Sequence, residues 1–370
     1  MEASRQPGEG RRMSGSPTHI PVRPDWLASR EEEALEPALP IVDSHHHLYD
    51  RPGSRYLLDD LLRDLNCGHN VRATVIVQAR SMLRVDAPPH LQPLGETEFA
   101  NGMAAMSASG IYGDTRVCAG IVGYADLTLG SAIRPVLERH IALAGGVIED
   151  GGRFRGVRQS LTWDANASLM NPSYPISEHM MESREFRAGF AHLAPLGLSF
   201  EGWVFFPQLR QLAALARAFP QTAVVLNHCG GVIGIANYAD RGDEVFREWK
   251  AGMAELSKCP QVVVKLSGLG MRLGGFGFEA GERAPSSSRL ADAWRPWIDT
   301  CIELFGPSRC MFGSNFPVDK GSYSYGIGLN ALKRLVAGAS ARERADIFCR
   351  TAKTFYRLPD AGLGIPAAKS

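Results

Sequence analysis

The chain has 370 residues, 45% of them hydrophobic and 21% charged, and a formal net charge of +1. That balance gives no electrostatic case for nucleic acid or an anionic membrane, and no apolar run approaches the ~20 residues that span a bilayer. Length alone leaves open one large barrel or two ordinary domains.

Residues 1–23 are expected to form a disordered tail. The stretch up to Pro17 is rich in Arg, Gly, Ser and Pro and lacks the apolar segment of a secretory signal. The globular part is expected over 24–360. It contains eight short apolar runs, at 41–44, 73–78, 117–124, 154–160, 198–205, 222–227, 262–266 and 310–313. Most are nearly continuous rather than alternating, as strands buried on both faces are. Helical patterns fall between them at 57–65, 97–109, 131–144, 182–194, 207–218, 243–258 and 291–304. A last one covers 341–356, with Ser340 and Glu343 spaced as a capping box. Eight strands, each followed by a helix, imply an α/β fold of the TIM-like (β/α)8 type in a single domain. A doubly wound sheet would carry a Gly-rich phosphate turn after its first strand, and histidines stand there instead. The seven cysteines are scattered without a CxxC pair. They read as reduced thiols of a cytoplasmic protein.

In such a barrel, chemistry belongs at the C-terminal ends of the strands. The first strand ends Val42-Asp43-Ser44-His45-His46-His47. Strand alternation turns His45 and His47 to one face, with Asp43 behind them, and His46 to the other. Two imidazoles converging there suit half a metal site or part of an acid–base site. His228 closes the sixth strand and opens onto Gly230 and Gly231, with Cys229 read as a core thiol. Polar residues end other strands as well, among them Gln78, Arg158, Glu201 and Lys265. The eighth strand runs into Gly313-Ser314-Asn315-Phe316-Pro317-Val318-Asp319. Asn315 occupies the place where a barrel hydrolase wants a carboxylate base, and an amide is not basic. Asp319 is the nearest substitute. The loops 81–96, 166–175 and 268–288 would set specificity, and the last, rich in Gly and Ser, reads as a mobile lid.

These motifs resemble the amidohydrolase superfamily, in particular the amidohydrolase-related (amidohydrolase 2) group containing 2-pyrone-4,6-dicarboxylate lactonase and L-fuconolactonase. The resemblance rests on His45/His47 in strand one, Asn227-His228-Cys229-Gly230 in strand six and Gly313–Pro317 in strand eight. The phrases at 95–99, 154–158 and 264–268 support it. It implies a hydrolase that opens a small lactone or related cyclic ester or amide with activated water. His45 and His47 would be metal ligands or substrate-polarising groups, and His228 would assist the carbonyl or the water. Asn315 would position the water or donate to the oxyanion, and Asp319 or Glu201 would be the base. Arg158 would clamp a substrate carboxylate, with Gln78 and Lys265 as further substrate-binding groups.

Two departures from the family pattern keep alternatives open. Strand five offers Glu201 where many members carry a metal-binding His, and Asn315 replaces the usual Asp. The resemblance leaves room for one divalent ion, Zn or Mn, on His45, His47 and Glu201, and equally for operation without metal. A metal-dependent decarboxylase or hydratase of aromatic-acid metabolites is a second reading. A non-catalytic metabolite-binding barrel with a degenerate site is a third. The expected partner is a small molecule, a lactone or carboxylated metabolite, with no nucleic acid and no membrane. Homo-oligomerisation is open.

Overall fold

The computed structural model describes residues 19–174 and 176–360. The expected tail therefore lies outside the described residues up to residue 18, as does Pro175 of the 166–175 loop. Residues 19–23 are placed, and Ile20 among them is buried.

Eight parallel strands form one sheet in strict chain order. They are β1 (Ile41–His46), β2 (Val71–Val77), β3 (Arg116–Gly123), β4 (Phe154–Ser160), β5 (Ser199–Trp203), β6 (Val224–Leu226), β7 (Val262–Leu266) and β8 (Cys310–Phe312). All eight expected strands are present, each within a few residues of its expected ends. The sheet curls into a TIM barrel, and the seam between β8 and β1 is drawn shut just past the strand ends. Asn315 N donates to His45 O at 2.7 Å and His47 N to Phe316 O at 2.8 Å. Helices α1 (Leu58–Leu65), α2 (Leu94–Ala108), α3 (Arg134–Leu143), α4 (Arg184–Phe190), α5 (Leu209–Ala218), α6 (Gly242–Ser257), α7 (Ser287–Phe305) and α8 (Tyr325–Leu335) follow the strands in turn.

Helix α8 corrects the sequence reading, which gave the eighth helical position to 341–356. Gly326 and Gly328 fall inside α8, and glycine lowers helix propensity by about 1 kcal/mol each, so the local signal is weak. The 341–356 segment is helical too, but it has another job. Its Cys349, Ala352 and Tyr356, with Leu358, pack among Val42, Ala73, Val75, Val122, Val225, Val263 and Met311 in the barrel interior. The C-terminal segment thus plugs the N-terminal end of the barrel with apolar side chains, leaving the other end for polar ones.

A second departure lies in β1. Asp43 pairs with Thr74 of β2, but the next pairing is His46 with Ile76. Three steps on one strand against two on its neighbour make a β-bulge. The bulge breaks the alternation, so Asp43 does not share the face of His45. Its Oδ2 accepts from the Tyr325 hydroxyl of α8 at 2.9 Å, and its Oδ1 from Ser314 N at 2.9 Å and His45 N at 3.1 Å.

The 268–288 loop, expected as a mobile lid, is pinned. Met271, Leu273 and Phe278 are buried. A short N-terminal helix, Pro24–Ala28, leads a strap across the loop. Trp26 Nε1 donates to Gly281 O at 2.8 Å, Arg283 Nη2 to Ser29 O at 2.6 Å, and Ser287 N to Glu32 Oε1 at 2.8 Å. Among the described residues, no helix is long and apolar enough to cross a membrane.

Candidate active site

Downstream of the bulge the alternation resumes, and His45 and His47 both turn into the barrel mouth. Their Nε2 atoms lie 3.3 Å apart. His46 faces outward as expected, its Nε2 2.8 Å from Thr74 Oγ1, and burial drives its pKa down to about 3. Two glycines make room for the inward rings. A side chain at Gly313 would come within 2.8 Å of His45 Cβ, and one at Gly268 within 2.5 Å of His228 Cβ. His228 itself sits at φ 55°, a left-handed conformation that costs a non-glycine residue energy and clusters at functional sites. Its ring lies 4.5 Å from that of His45 and meets Trp203 edge-on at 4.6 Å. Its Nδ1 is 3.0 Å from Ser267 Oγ.

Burial holds all three imidazoles well below the ordinary histidine range, and neighbouring cations push further: Lys265 foremost for His45, Arg158 for His47 and His228. The rings are therefore neutral at pH 7. Arg158 of β4 supplies one cation. It is buried, with Nη1 3.3 Å from His45 Nε2 and Nη2 donating to Gln78 O, while Nε has no partner. Among the described residues no carboxylate pairs with it. A buried guanidinium without a counter-ion is costly, so its N–H groups are placed for an anionic or strongly polar ligand. Gln78 lies beside it, with Nε2 3.5 Å from Arg158 O and Oε1 without a partner.

On the β8 side, Asn315 Oδ1 stands 3.3 Å from His47 Nε2, and Asn315 Nδ2 donates to Asp319 Oδ1 at 2.7 Å. Asp319 Oδ2 accepts from Tyr323 OH at 2.8 Å and Gly270 N at 3.1 Å. Burial raises the Asp319 carboxyl to about 7 against the pull of these donors. A carboxyl poised there can take a proton and give it back near neutral pH.

Glu201 and Lys265 lie deeper than a rim position. Both are fully buried, and Lys265 Nζ donates to Glu201 Oε1 and Oε2 at 2.9 and 2.7 Å and to His45 Nδ1 at 3.2 Å. All three ammonium hydrogens are thereby used. Asn227 Nδ2 at 2.9 Å and the Tyr356 hydroxyl complete the shell of Glu201. The structure therefore brings together His45, His47, His228, Arg158, Gln78, Asn315 and Asp319. It sets Glu201 behind Lys265 and leaves Lys265 no free donor for a substrate. The sequence reading missed Tyr356 and Tyr323. Neither carries a local signal, because each matters only through the carboxylate it meets in space.

An eight-stranded barrel with its histidines, guanidinium and carboxylate gathered at the C-terminal strand ends has the architecture of the catalytic α/β barrels. The chain belongs to the Amidohydrolase family, whose profile matches residues 42–358. It is 31% identical over 340 residues to the uncharacterized protein y4mH of Sinorhizobium fredii, covering 86% of this chain and 98% of that one. It is 27% identical over 333 residues to the L-fucono-1,5-lactonase of Burkholderia multivorans, covering 86% and 96%. A crystal structure of a Burkholderia multivorans amidohydrolase with bound zinc aligns at a TM-score of 0.66 with 26% identity, over 86% of this chain and 99% of that one.

Zinc in a relative raises the question of whether the residues of this chain suit a metal. His47 does. Its Nδ1 donates to Val77 O at 2.8 Å, which leaves the Nε2 lone pair for a ligand, the usual arrangement of a metal-binding imidazole. His45 does not. Two cations that can only donate face it, the Lys265 ammonium 3.2 Å from Nδ1 and the Arg158 guanidinium 3.3 Å from Nε2, so positive charge already stands where a divalent ion would sit. Among the described residues, no three His, Cys, Asp or Glu side chains converge as a metal site. The residues do not fit a divalent ion in this arrangement.

Proposed function

We propose that the protein is a hydrolase that opens a small lactone, or a related cyclic ester or amide, by attack of water on the carbonyl carbon. The observation that carries this reading is the Asp319 carboxyl, held near neutrality and hydrogen-bonded to Asn315, which stands beside His47 at the barrel mouth. The substrate carbonyl oxygen is received by the Arg158 guanidinium, which is buried without a counter-ion and has Nη1 3.3 Å from His45 Nε2. Asn315 orients the attacking water, and Asp319 takes its proton. The tetrahedral adduct then collapses, the ring C–O bond breaks, and Asp319 returns the proton to the departing ring oxygen. One lactone and one water give one hydroxy acid. His228, fixed by Ser267 and Trp203, borders the carbonyl and excludes bulk water from it.

The resemblance to an L-fucono-1,5-lactonase supports a sugar-type lactone as the first substrate class to assay. The unpaired Arg158 favours substrates that carry a carboxylate or develop negative charge on oxygen. The test is acid release from a lactone panel by wild type and by His228→Ala. Lactone hydrolysis by the wild type and a loss of at least about 10²-fold in kcat for the variant, with unchanged circular dichroism, are expected. Wild-type-like turnover by the variant would remove His228 from the site, and an inert wild type would sink the hydrolase reading.

A further inference from the structure

Residues 19–30 cross the catalytic face of the barrel, and their contacts pass from one strand end to the next. Burial and then the Arg51 guanidinium, past β1, hold the His19 imidazole below the ordinary histidine range. Ile20 packs on Gly321, past β8: a side chain there would come within 2.3 Å of Ile20 O and 2.6 Å of Ile20 Cβ. Arg23 donates to Glu279 O, Trp26 to Gly281 O at 2.8 Å and Arg30 to Ala284 O at 3.3 Å, all past β7. Each partner follows the C-terminal end of its strand, the end that carries the chemistry. Asp319 and Gly321 share one short turn, and both are buried. Ile20 thus covers the turn that carries Asp319. Of residues 19–23, Ile20 alone is buried. One isoleucine does not offset the entropy of ordering that stretch, so stability does not explain its place on the rim. The strap also lies outside residues 42–358, which the family profile matches.

We propose that this strap is the outer wall of the substrate site on the Asp319 side, and that Ile20 is a specificity-determining residue. It limits the group that a lactone can carry beside its ring oxygen. Asp319 returns the proton to that oxygen, so the carbon bearing it approaches the turn at 319–321. The contacts of the strap span three neighbouring staves, β7, β8 and β1. The rest of the substrate is therefore taken toward Gln78 and Arg158. Small rings, and rings substituted on the Arg158 side, fit this arrangement. A long chain on the ring-oxygen carbon meets Ile20. The placement of the ring oxygen rests on the hydrolase reading, whereas the wall is tested without turnover, so the two fail separately.

The test uses full-length Ile20→Asp, because a carboxylate is too costly to keep where Ile20 is buried. Diethyl pyrocarbonate acylates neutral imidazoles, and mass spectrometry follows the 45–47 triplet, His228 and His140 separately. The triplet and His228 should react slowly in wild type and at least about 10-fold faster in the variant. His140, stacked on Phe154 at 4.9 Å and buried away from the mouth, should stay slow in both. If His140 accelerates too, the variant has unfolded, and Ile20→Ala, which buries no charge, is judged by the same rates. The kcat/KM for γ-hexyl relative to γ-methyl butyrolactone should rise about 10-fold when the wall is displaced. Unchanged rates for the triplet and His228 in the folded variant overturn the wall. An unchanged ratio in a variant whose site histidines have become reactive overturns the role of Ile20. A wild type inert on both lactones sinks the hydrolase reading and leaves the wall to be decided by the imidazole rates.

Discussion

The two ends of the barrel solve opposite problems. At the N-terminal end, Val42, Ala73, Val75 and Val263 meet Ala352 and Leu358, and burial of apolar surface does the work. At the C-terminal end, three neutral imidazoles, a guanidinium without a counter-ion and a carboxyl near pH 7 are buried together. Each of those groups is costly out of water. The apolar end supplies the stability that this assembly consumes, and its Tyr356 hydroxyl reaches Glu201 beneath it. Stability and chemistry should therefore respond to different substitutions.

The largest effect on turnover is expected from Asp319→Asn, a fall in kcat of about 10³-fold, measured as acid release from a lactone substrate. In wild type, the acid limb of kcat/KM should lie near pH 7, because Asp319 must be ionised to accept the proton. The sign for stability is reversed. A carboxyl raised in the folded state binds its proton more tightly than in the unfolded chain, so its contribution is present below about pH 4 and lost as pH rises towards 7. Urea midpoints should show that loss, and Asp319→Asn should flatten it. A limb that stays near 7 in the variant would assign the titration to another group.

Arg158→Lys comes next, with an expected loss of about 10-fold to 10²-fold in kcat/KM, since a point ammonium cannot reproduce the fork of donors. The loss should be greater for carboxylated lactones than for neutral ones. Equal losses for both would place Arg158 on the carbonyl oxygen alone. Asn315→Asp puts a second carboxyl beside Asp319, at a contact that is now 2.7 Å. Like charges cannot both ionise there, so the acid limb should move above 7 and kcat at pH 7 should fall several-fold. A gain in activity would mean that the native site is a degenerate one awaiting its carboxylate. The smallest effect on turnover is expected at the plug. Leu358→Ala should cost about 2–5 kcal/mol of stability by urea denaturation, with kcat within about twofold of wild type.

Much of this was legible in the chain itself. Nearly continuous apolar runs marked most of the eight strands, because strands buried on both faces carry few polar positions. The site residues stood out as polar groups ending those runs, and His45, His47, His228, Arg158, Asn315 and Asp319 do gather at one end. The illegible parts depend on distance in space. Glu201 reads as a rim carboxylate until Lys265, 64 residues away, and Tyr356, 155 away, are seen to occupy its oxygens. Helix α8 was hidden by its glycines, and the plug by the fact that its apolar face looks like that of any peripheral helix. The loop at 268–288 looks mobile by composition, yet its anchors come from residues 26–32 at the other end of the chain.

The bulge in β1 has a consequence for what a change far from the chemistry can do. Val42 points into the barrel and Asp43 toward the helices. Continued without interruption, that rhythm would turn His45 and His47 outward as well. The packing of β1 and the reactivity at its tip are thus written in opposite phase, and one supernumerary residue reconciles them. The Asp43 carboxylate keeps the phase shift in place, since it collects the amides of His45 and Ser314 that the irregularity leaves free of the ladder. Asp43 never faces the substrate, yet it governs which side of the strand the imidazoles occupy.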